Sequence, residues 1–453
     1  MAIHLTPFRE PAPLPISPPD AEPTIRVGII LAEDLRREVR CIAEGLEFEI
    51  RSLEGESRRT APGEQIQVVA DGQEVACYLS GELLYRSQQI QFVPTVATTL
   101  RPQCGLRIGP LVAGRIFHWR KEVEQILPGA MEFTASGGSL VGVNTISFEA
   151  YCVCVIAAEM GKECPADFLR AQITAARSWG WVFLRNKHPD CPFQICNDDD
   201  CQRYQGTTFL SQQVMDLVAE TFGHYLIDPQ GGVVPAYYSK SCGGHSEPPE
   251  AIFGFPVPGL VGVPDAPTAV DTRELKSWIT GENGACYCSE VTVPRPLLPR
   301  YLGAVDETRA YFRWEYSIPE GELVENLRKK LDAPEISSVI DLLPTARGAS
   351  GRITSAVLSL RMSDGSREDV AIAAQYDLRR LLHPSFLLSS AFLHRWEGEG
   401  SSRTLHLQGA GWGHGVGLCQ IGGVGMAITG KNWKEILRHY FPSSELRMEY
   451  PKS

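Results

Sequence analysis

At 453 residues the chain is too long for one ordinary hydrophobic core, and 43% hydrophobic with 21% charged residues is the balance of a soluble globular protein. A formal net charge of −11 argues against nucleic acid or an anionic membrane surface as the main partner. No apolar run reaches the length of a membrane-spanning helix.

The chain opens with MAIHLTPFREPAPLPISPPDAEPT, a proline-rich polar stretch without the apolar core of a secretory signal. Residues 1–23 read as a flexible leader. From Thr24 to Ser147 the pattern is mostly strand-like: TIRVGIIL, FEIRSL, QIQVVADGQEVACYL, QQIQFVP and GAMEFTASGGSLVGVN. Asp71-Gly72 and Gly137-Gly138 are hairpin-turn signals. This 24–147 stretch is the expected β-rich N-terminal region.

Residues 148–250 form the next expected region, beginning with SFEAYCVCVIAAEMG. Ser147 suits an N-cap and Gly161 a C′ position. Phe148, Tyr151, Cys152, Val155 and Ile156 fall on one helical stripe, and Glu159 meets that stripe three turns on. A carboxylate there is partly desolvated and sits at the negative end of the helix dipole. Both effects favour its neutral, proton-donating form. The bland alternative is that Glu159 bends out to water; Glu149 and Glu163 read as ordinary surface residues. A second helix follows Pro165, and Arg177 among its small residues needs an acidic or carbonyl partner.

Cys191, Cys196 and Cys201 stand at C-x4-C-x4-C with His188 just upstream. Thiolate and imidazole at short loop spacing suit a tetrahedral zinc site. A disulfide plus one free thiol, or three unrelated cysteines, are the alternatives. The chain has 13 cysteines, so at least one is left over if the rest pair. Cys41, Cys152 and Cys419 sit in apolar contexts as small buried hydrophobes.

Residues 251–345 open with a proline- and glycine-rich connector and carry a helix at PEGELVENLRKKL. Residues 346–453 contain a hairpin turn at Asp364-Gly365, a helix at AAQYDLRRLLH, and then GAGWGHGVGLCQIGG. Glycine holds every second position from Gly409 to Gly417, which predicts positive φ angles or a very close approach of another backbone or a ligand. A phosphate loop is excluded because no GK[ST] follows. Partial segregation of strands and helices predicts an α+β fold.

Three blocks resemble the SpoIID/LytB family of bacterial cell-wall proteins: IAAEMGKECPADFLRAQITAARSW, CNDDDCQRYQG with YYSKSCGGHSE, and GAGWGHGVGLCQIGGVGMAITGKNWKEILRHYFP. The resemblance implies a lytic transglycosylase of peptidoglycan glycan strands, with Glu159 as its acid/base. It implies a substrate-facing set of Arg177, Tyr238, Ser241, His245, Trp412, His414 and Gln420. Trp412 would stack on sugar, and the glycine ladder would let a flat polysaccharide approach the backbone. Zinc on Cys191, Cys196 and Cys201 is the cofactor expectation. Asp200 stands where the family often has a histidine before the last cysteine, and Ser239 replaces the usual histidine after Tyr238. Two other readings stay open: a non-catalytic wall-binding enhancer of an amidase, and a hydrolase with Glu247 as second carboxylate. The family acts in the cell envelope or outside the cell, whereas the absent signal leaves the cytoplasm open.

Overall fold

Alternation of buried and exposed positions builds the first part of the molecule. In Glu38–Glu44 the side chains of Val39, Cys41 and Ala43 are buried while their neighbours face outward, as a half-buried strand requires. The computed structural model describes residues 2–3, 15–96, 100–115, 120–267, 275–281, 286–303 and 310–451. It divides into two units. One comprises 11–163, 176–225 and 446–453, and the other 1–10, 164–175 and 226–445.

The first unit carries two sheets. A six-stranded sheet runs in the order Lys121–Leu127, Gly105–Ala113, Glu38–Glu44, Gln65–Asp71, Glu74–Leu79, Glu82–Ser87. A seven-stranded sheet runs Ile195–Cys196, Thr24–Ile30, Ser139–Ser147, Ala130–Ser136, Gln89–Pro94, Phe48–Ser52, Ser57–Arg59. Both expected hairpins form, with Gly72 at φ 68° and Gly137 and Gly138 at 56° and 78°. Of the proline-rich start, residues 2–3 and those from Pro15 on are described. There Ile16 is buried, and Ser17 accepts a hydrogen bond from the Trp181 indole at 2.9 Å.

In the second unit, Arg313–Pro319, Thr404–Ala410 and Phe392–Glu397 form a three-stranded sheet. A second sheet pairs Ile336–Arg347, Ile353–Met362 and Arg367–Ile372 in antiparallel register. The expected helices appear at Glu320–Leu331 and Gln375–Leu381. Leu323, Leu327, Leu378 and Leu381 from these helices share a core with Trp314, Val339, Leu358, Phe392 and Leu405. Position 345, expected as a boundary, falls inside the Ile336–Arg347 strand. The mixture of sheets and helices is α+β, as the pattern predicts.

Candidate functional site

The helix Phe148–Glu159 begins where expected, with the Ser147 hydroxyl accepting from Ala150 N at 3.4 Å. It ends at Met160 in an extended conformation, φ −126°, instead of a left-handed Gly161 cap. The expected stripe is a misreading: every residue except Ala150 is buried, so the helix has no polar face. Glu149, read as a surface residue, is also buried. Its carboxylate takes Arg177 Nε at 2.8 Å and Nη2 at 2.6 Å, Gly223 N at 3.2 Å and the Tyr450 hydroxyl at 2.9 Å. Arg177 is 0% exposed and donates its remaining nitrogen to His224 O at 3.2 Å. The need for an acidic partner was legible; the substrate-contact role is corrected, because this guanidinium offers no surface to a ligand.

Glu159 closes the helix and is 8% exposed. Its Oε1 accepts from Arg203 N at 3.1 Å. Arg203 lies two residues beyond Cys201, and its guanidinium bonds Asp199 at 3.1 and 3.2 Å. The cysteine loop therefore holds the carboxylate by its backbone.

That loop gathers His188, Cys196, Asp200 and Cys201, whose ligand atoms all lie within 4.8 Å of one another. His188 Nε2 is 3.3 Å from Cys201 Sγ, and Cys196 N donates to the same sulfur at 3.3 Å. Hydrogen bonding with Cys201, aided by His188, holds the Cys196 thiol below the ordinary range against the opposing effect of burial. One imidazole, two thiols and a carboxylate are a donor set that fits zinc. The predicted trio is corrected in one member: Cys191 is exposed and lies outside the group, while Asp200 and His188 lie inside it. Spacing alone could not exclude Cys191, because the loop turns at His188, whose carbonyl accepts from Cys191 N at 3.2 Å.

In the second unit the YYSKSCGGHSE block and the glycine signature bind each other. Tyr238 and Ser239 pair in parallel with Leu418 and Cys419. Ser241 and Trp412 exchange backbone bonds at 3.0 and 2.8 Å, and Glu247 N donates to Gly415 O at 2.8 Å. Gly411, Gly413, Gly415 and Gly417 have φ of 75°, 98°, 80° and 72°, the left-handed geometry the alternation predicts. The space beside them is filled by the protein itself. A Cβ on Gly417 would lie 2.1 Å from Tyr237 O, and one on Gly415 would lie 2.5 Å from Arg352 Cζ. This overturns the expectation that a polysaccharide approaches along that face.

Arg352, which sequence reasoning missed, runs fully buried beneath the ladder. It donates to Gly413 O, Cys242 O and Ser241 O at 3.3, 3.0 and 3.3 Å. Trp412 is half-buried and stacks on Tyr311, ring centroids 4.8 Å apart. Tyr238 and His245 are also half-buried, and His245 Nδ1 donates to Ser246 O at 2.7 Å. Ser239 Oγ, Ser241 Oγ and Gln420 Nε2 are buried with no hydrogen-bond partner among the described residues. Glu247 is 0% exposed, and its carboxylate accepts from Ala349 N and Ser350 N, each at 2.8 Å. A carboxylate so enclosed is a brace for the 349–350 turn.

His414 Nδ1 accepts from Val416 N at 3.0 Å. Burial, with Arg352 and Arg379 nearby, holds this imidazole down to about 3. Below the ordinary histidine range the unfolded chain takes up a proton here that the folded chain refuses. The stability contribution is thus complete above pH ~6.5 and is lost as the pH falls. In His414→Asn, whose oxygen can still accept from Val416 N, denaturant unfolding should show a smaller loss of stability between about pH 7 and about pH 5 than in the parent. Equal losses would show that His414 titrates normally.

What the geometry defines is an α+β protein whose helix-end carboxylate is gripped by a cysteine loop that fits a metal. Residues 136–227, which contain both features, match the sequence model of SpoIID, described as Stage II sporulation protein. Residues 256–417 match a domain of unknown function, DUF8618. The chain is 27% identical over 315 residues to an uncharacterized protein of Brachyspira hyodysenteriae, covering 69% of this chain and 70% of that one. It is 25% identical over 318 residues to Stage II sporulation protein D of Bacillus amyloliquefaciens, covering 67% and 75%. It is 24% identical over 302 residues to the Amidase enhancer of Bacillus subtilis, covering 64% of this chain and 39% of that relative. The SpoIID match over residues 136–227 and the two named relatives support the resemblance to the SpoIID/LytB family. No helix of the described residues is long and apolar enough to cross a membrane.

Proposed function

We propose that this chain is a lytic transglycosylase acting on peptidoglycan glycan strands in the cell envelope, with Glu159 as its single acid/base. The observation that carries the reading is the grip of the cysteine loop on Glu159 through Arg203 N. It joins, at one buried carboxylate, two of the blocks on which the family resemblance rests.

The chemistry needs only one carboxylate. Glu159 gives its proton to the glycosidic oxygen as the bond from the anomeric carbon to that oxygen breaks. The 6-hydroxyl of the same muramic acid residue then bonds to the anomeric carbon, and its proton goes to the Glu159 carboxylate. The enzyme ends as it began, no water is consumed, and a 1,6-anhydro end results. Hydrolysis would instead require a second carboxyl group to serve a water or a covalent intermediate. His188, Cys196, Asp200 and Cys201 would hold zinc, which when bound supplies structural order to the loop that carries Arg203 N.

Trp412, Tyr238, His245 and His414 are half-buried, and the orphan polar atoms of Ser239, Ser241 and Gln420 lie in the same two segments. Buried polar atoms without partners call for a water or a ligand group, which supports a glycan-binding role there. Trp412→Ala should weaken glycan binding more than it lowers the melting temperature, since a fully buried tryptophan would cost about 3–5 kcal/mol of stability on truncation. Loss of stability with unchanged binding would make Trp412 a core residue only.

The name Amidase enhancer, carried by one relative, favours a second reading: a wall-binding protein that stimulates a separate amidase. Incubation with peptide-free glycan strands separates the two. Shortened strands support cleavage, and binding without shortening supports the enhancer.

A further inference from the structure

Four side chains converge inside residues 226–445, all of them buried: Cys242, Asp265, Cys288 and Cys419. Their ligand atoms lie within 4.8 Å of one another, and Cys242 Sγ is 3.8 Å from Cys288 Sγ. We propose that they form a second zinc site, closed by four protein ligands. The site is independent of whether the chain cleaves glycan.

The distances fit a single ion. With zinc–sulfur bonds of about 2.3 Å, the corners of a tetrahedron stand roughly 3.8 Å apart. An iron–sulfur cluster distributes its ligands over separate irons and holds them farther from one another. A disulfide between Cys242 and Cys288 would need a much closer approach, about 2.05 Å.

The surroundings are those of a thiolate centre. Cys419 Sγ accepts from Cys242 N at 3.2 Å and Gly422 N at 3.3 Å, and Cys242 Sγ accepts from Gly244 N at 3.3 Å. Such N–H···S bonds favour thiolate over thiol and orient the sulfur. Asp265 is 0% exposed and makes no ion pair among the described residues. Its oxygens accept from Cys288 N, at 2.9 Å, and from the Tyr440 hydroxyl, and they meet the Cys288 side chain as well. A carboxylate so buried needs a cation or a proton. Gly422 keeps room for it, since a Cβ there would lie 2.4 Å from Asp265 Oδ1.

Three thiolates and a carboxylate around one zinc leave the centre negatively charged. Two arginines flank it: Arg352 Nη1 bonds Cys242 O at 3.0 Å, and Arg313 Nη1 bonds Gly243 O at 2.9 Å. Neither makes an ion pair among the described residues. Arg352 reaches the buried Glu247 carboxylate through Ser350 Oγ, at 2.7 Å from its Nη1, and the centre adds negative charge beside both arginines. With every position filled by protein, the ion is structural. It pins Cys242 of the YYSKSCGGHSE block and Cys419 of the glycine signature to Asp265 and Cys288 of the intervening segment. The buried-hydrophobe reading of Cys419 is replaced accordingly.

The test is metal content by mass spectrometry on the folded full-length chain, prepared without chelator. Cys196→Ser with Cys201→Ser, which disables the loop group, should leave about one zinc per chain. Adding Cys288→Ser with Asp265→Asn should remove it. Should that combined variant fail to fold, cobalt(II) in the Cys196→Ser, Cys201→Ser chain still decides, giving thiolate charge-transfer and tetrahedral ligand-field bands. A metal-free loop variant without those bands, zinc retained after the further substitutions, or a Cys242–Cys288 disulfide in the unreduced protein would each overturn the proposal.

Discussion

Glu159→Gln should cleave glycan strands about 10²–10⁴-fold more slowly than the parent, the usual loss when a general acid is removed. Glutamine keeps the length of the side chain and an oxygen that can accept from Arg203 N, so the grip at 3.1 Å survives. What it loses is the proton for the leaving oxygen and the base for the 6-hydroxyl. Strand length against time gives the rate, and thermal unfolding in parallel reports the fold. A well-folded glutamine variant with the parent's rate would remove Glu159 from the mechanism and move the amidase-enhancer reading into first place.

Arg177→Leu should destabilise the protein by about 3–5 kcal/mol, because it leaves Glu149 charged and buried without its cation. The pair is bidentate, at 2.8 and 2.6 Å, and neither partner can turn to water. Gly223 N and the Tyr450 hydroxyl would remain as donors to Glu149, but neither carries a charge. Substituting both, as Glu149→Leu with Arg177→Leu, should recover part of the loss, since two apolar groups leave no orphan ion. Denaturant unfolding of the two single variants and the double variant completes the cycle. Single variants within about 1 kcal/mol of the parent would mean the pair is screened by water, as exposed pairs are.

What could be read in advance was local. The two glycine hairpins, the helix starting at Ser147 and the positive φ angles of the signature each follow from a few adjacent residues. Glu149 could not be told from a surface glutamate, because Arg177 is 28 positions away and Tyr450 is 301. The glycine alternation announced that something approaches the backbone closely; that the visitor is Arg352, 61 positions before Gly413, is a property of the fold. The apolar stripe misled for a different reason. A helix buried on all sides has no polar face to define one, so the burial of Glu159 follows from enclosure of the whole helix and not from a stripe. The strand Glu38–Glu44 alternates between buried and outward positions and is legible by the same test. Cys191 shows the limit of spacing, which counts positions and cannot see which way a loop turns.

The most direct measurement is the chemistry of the ends made on purified peptide-free glycan strands. Mass spectrometry should find 1,6-anhydromuramic acid ends accumulating with the wild-type chain and almost none with Glu159→Gln. Reducing muramic acid ends would mean that water attacks and that a hydrolase is at work. Strands bound but left whole by the wild-type chain would contradict catalysis altogether.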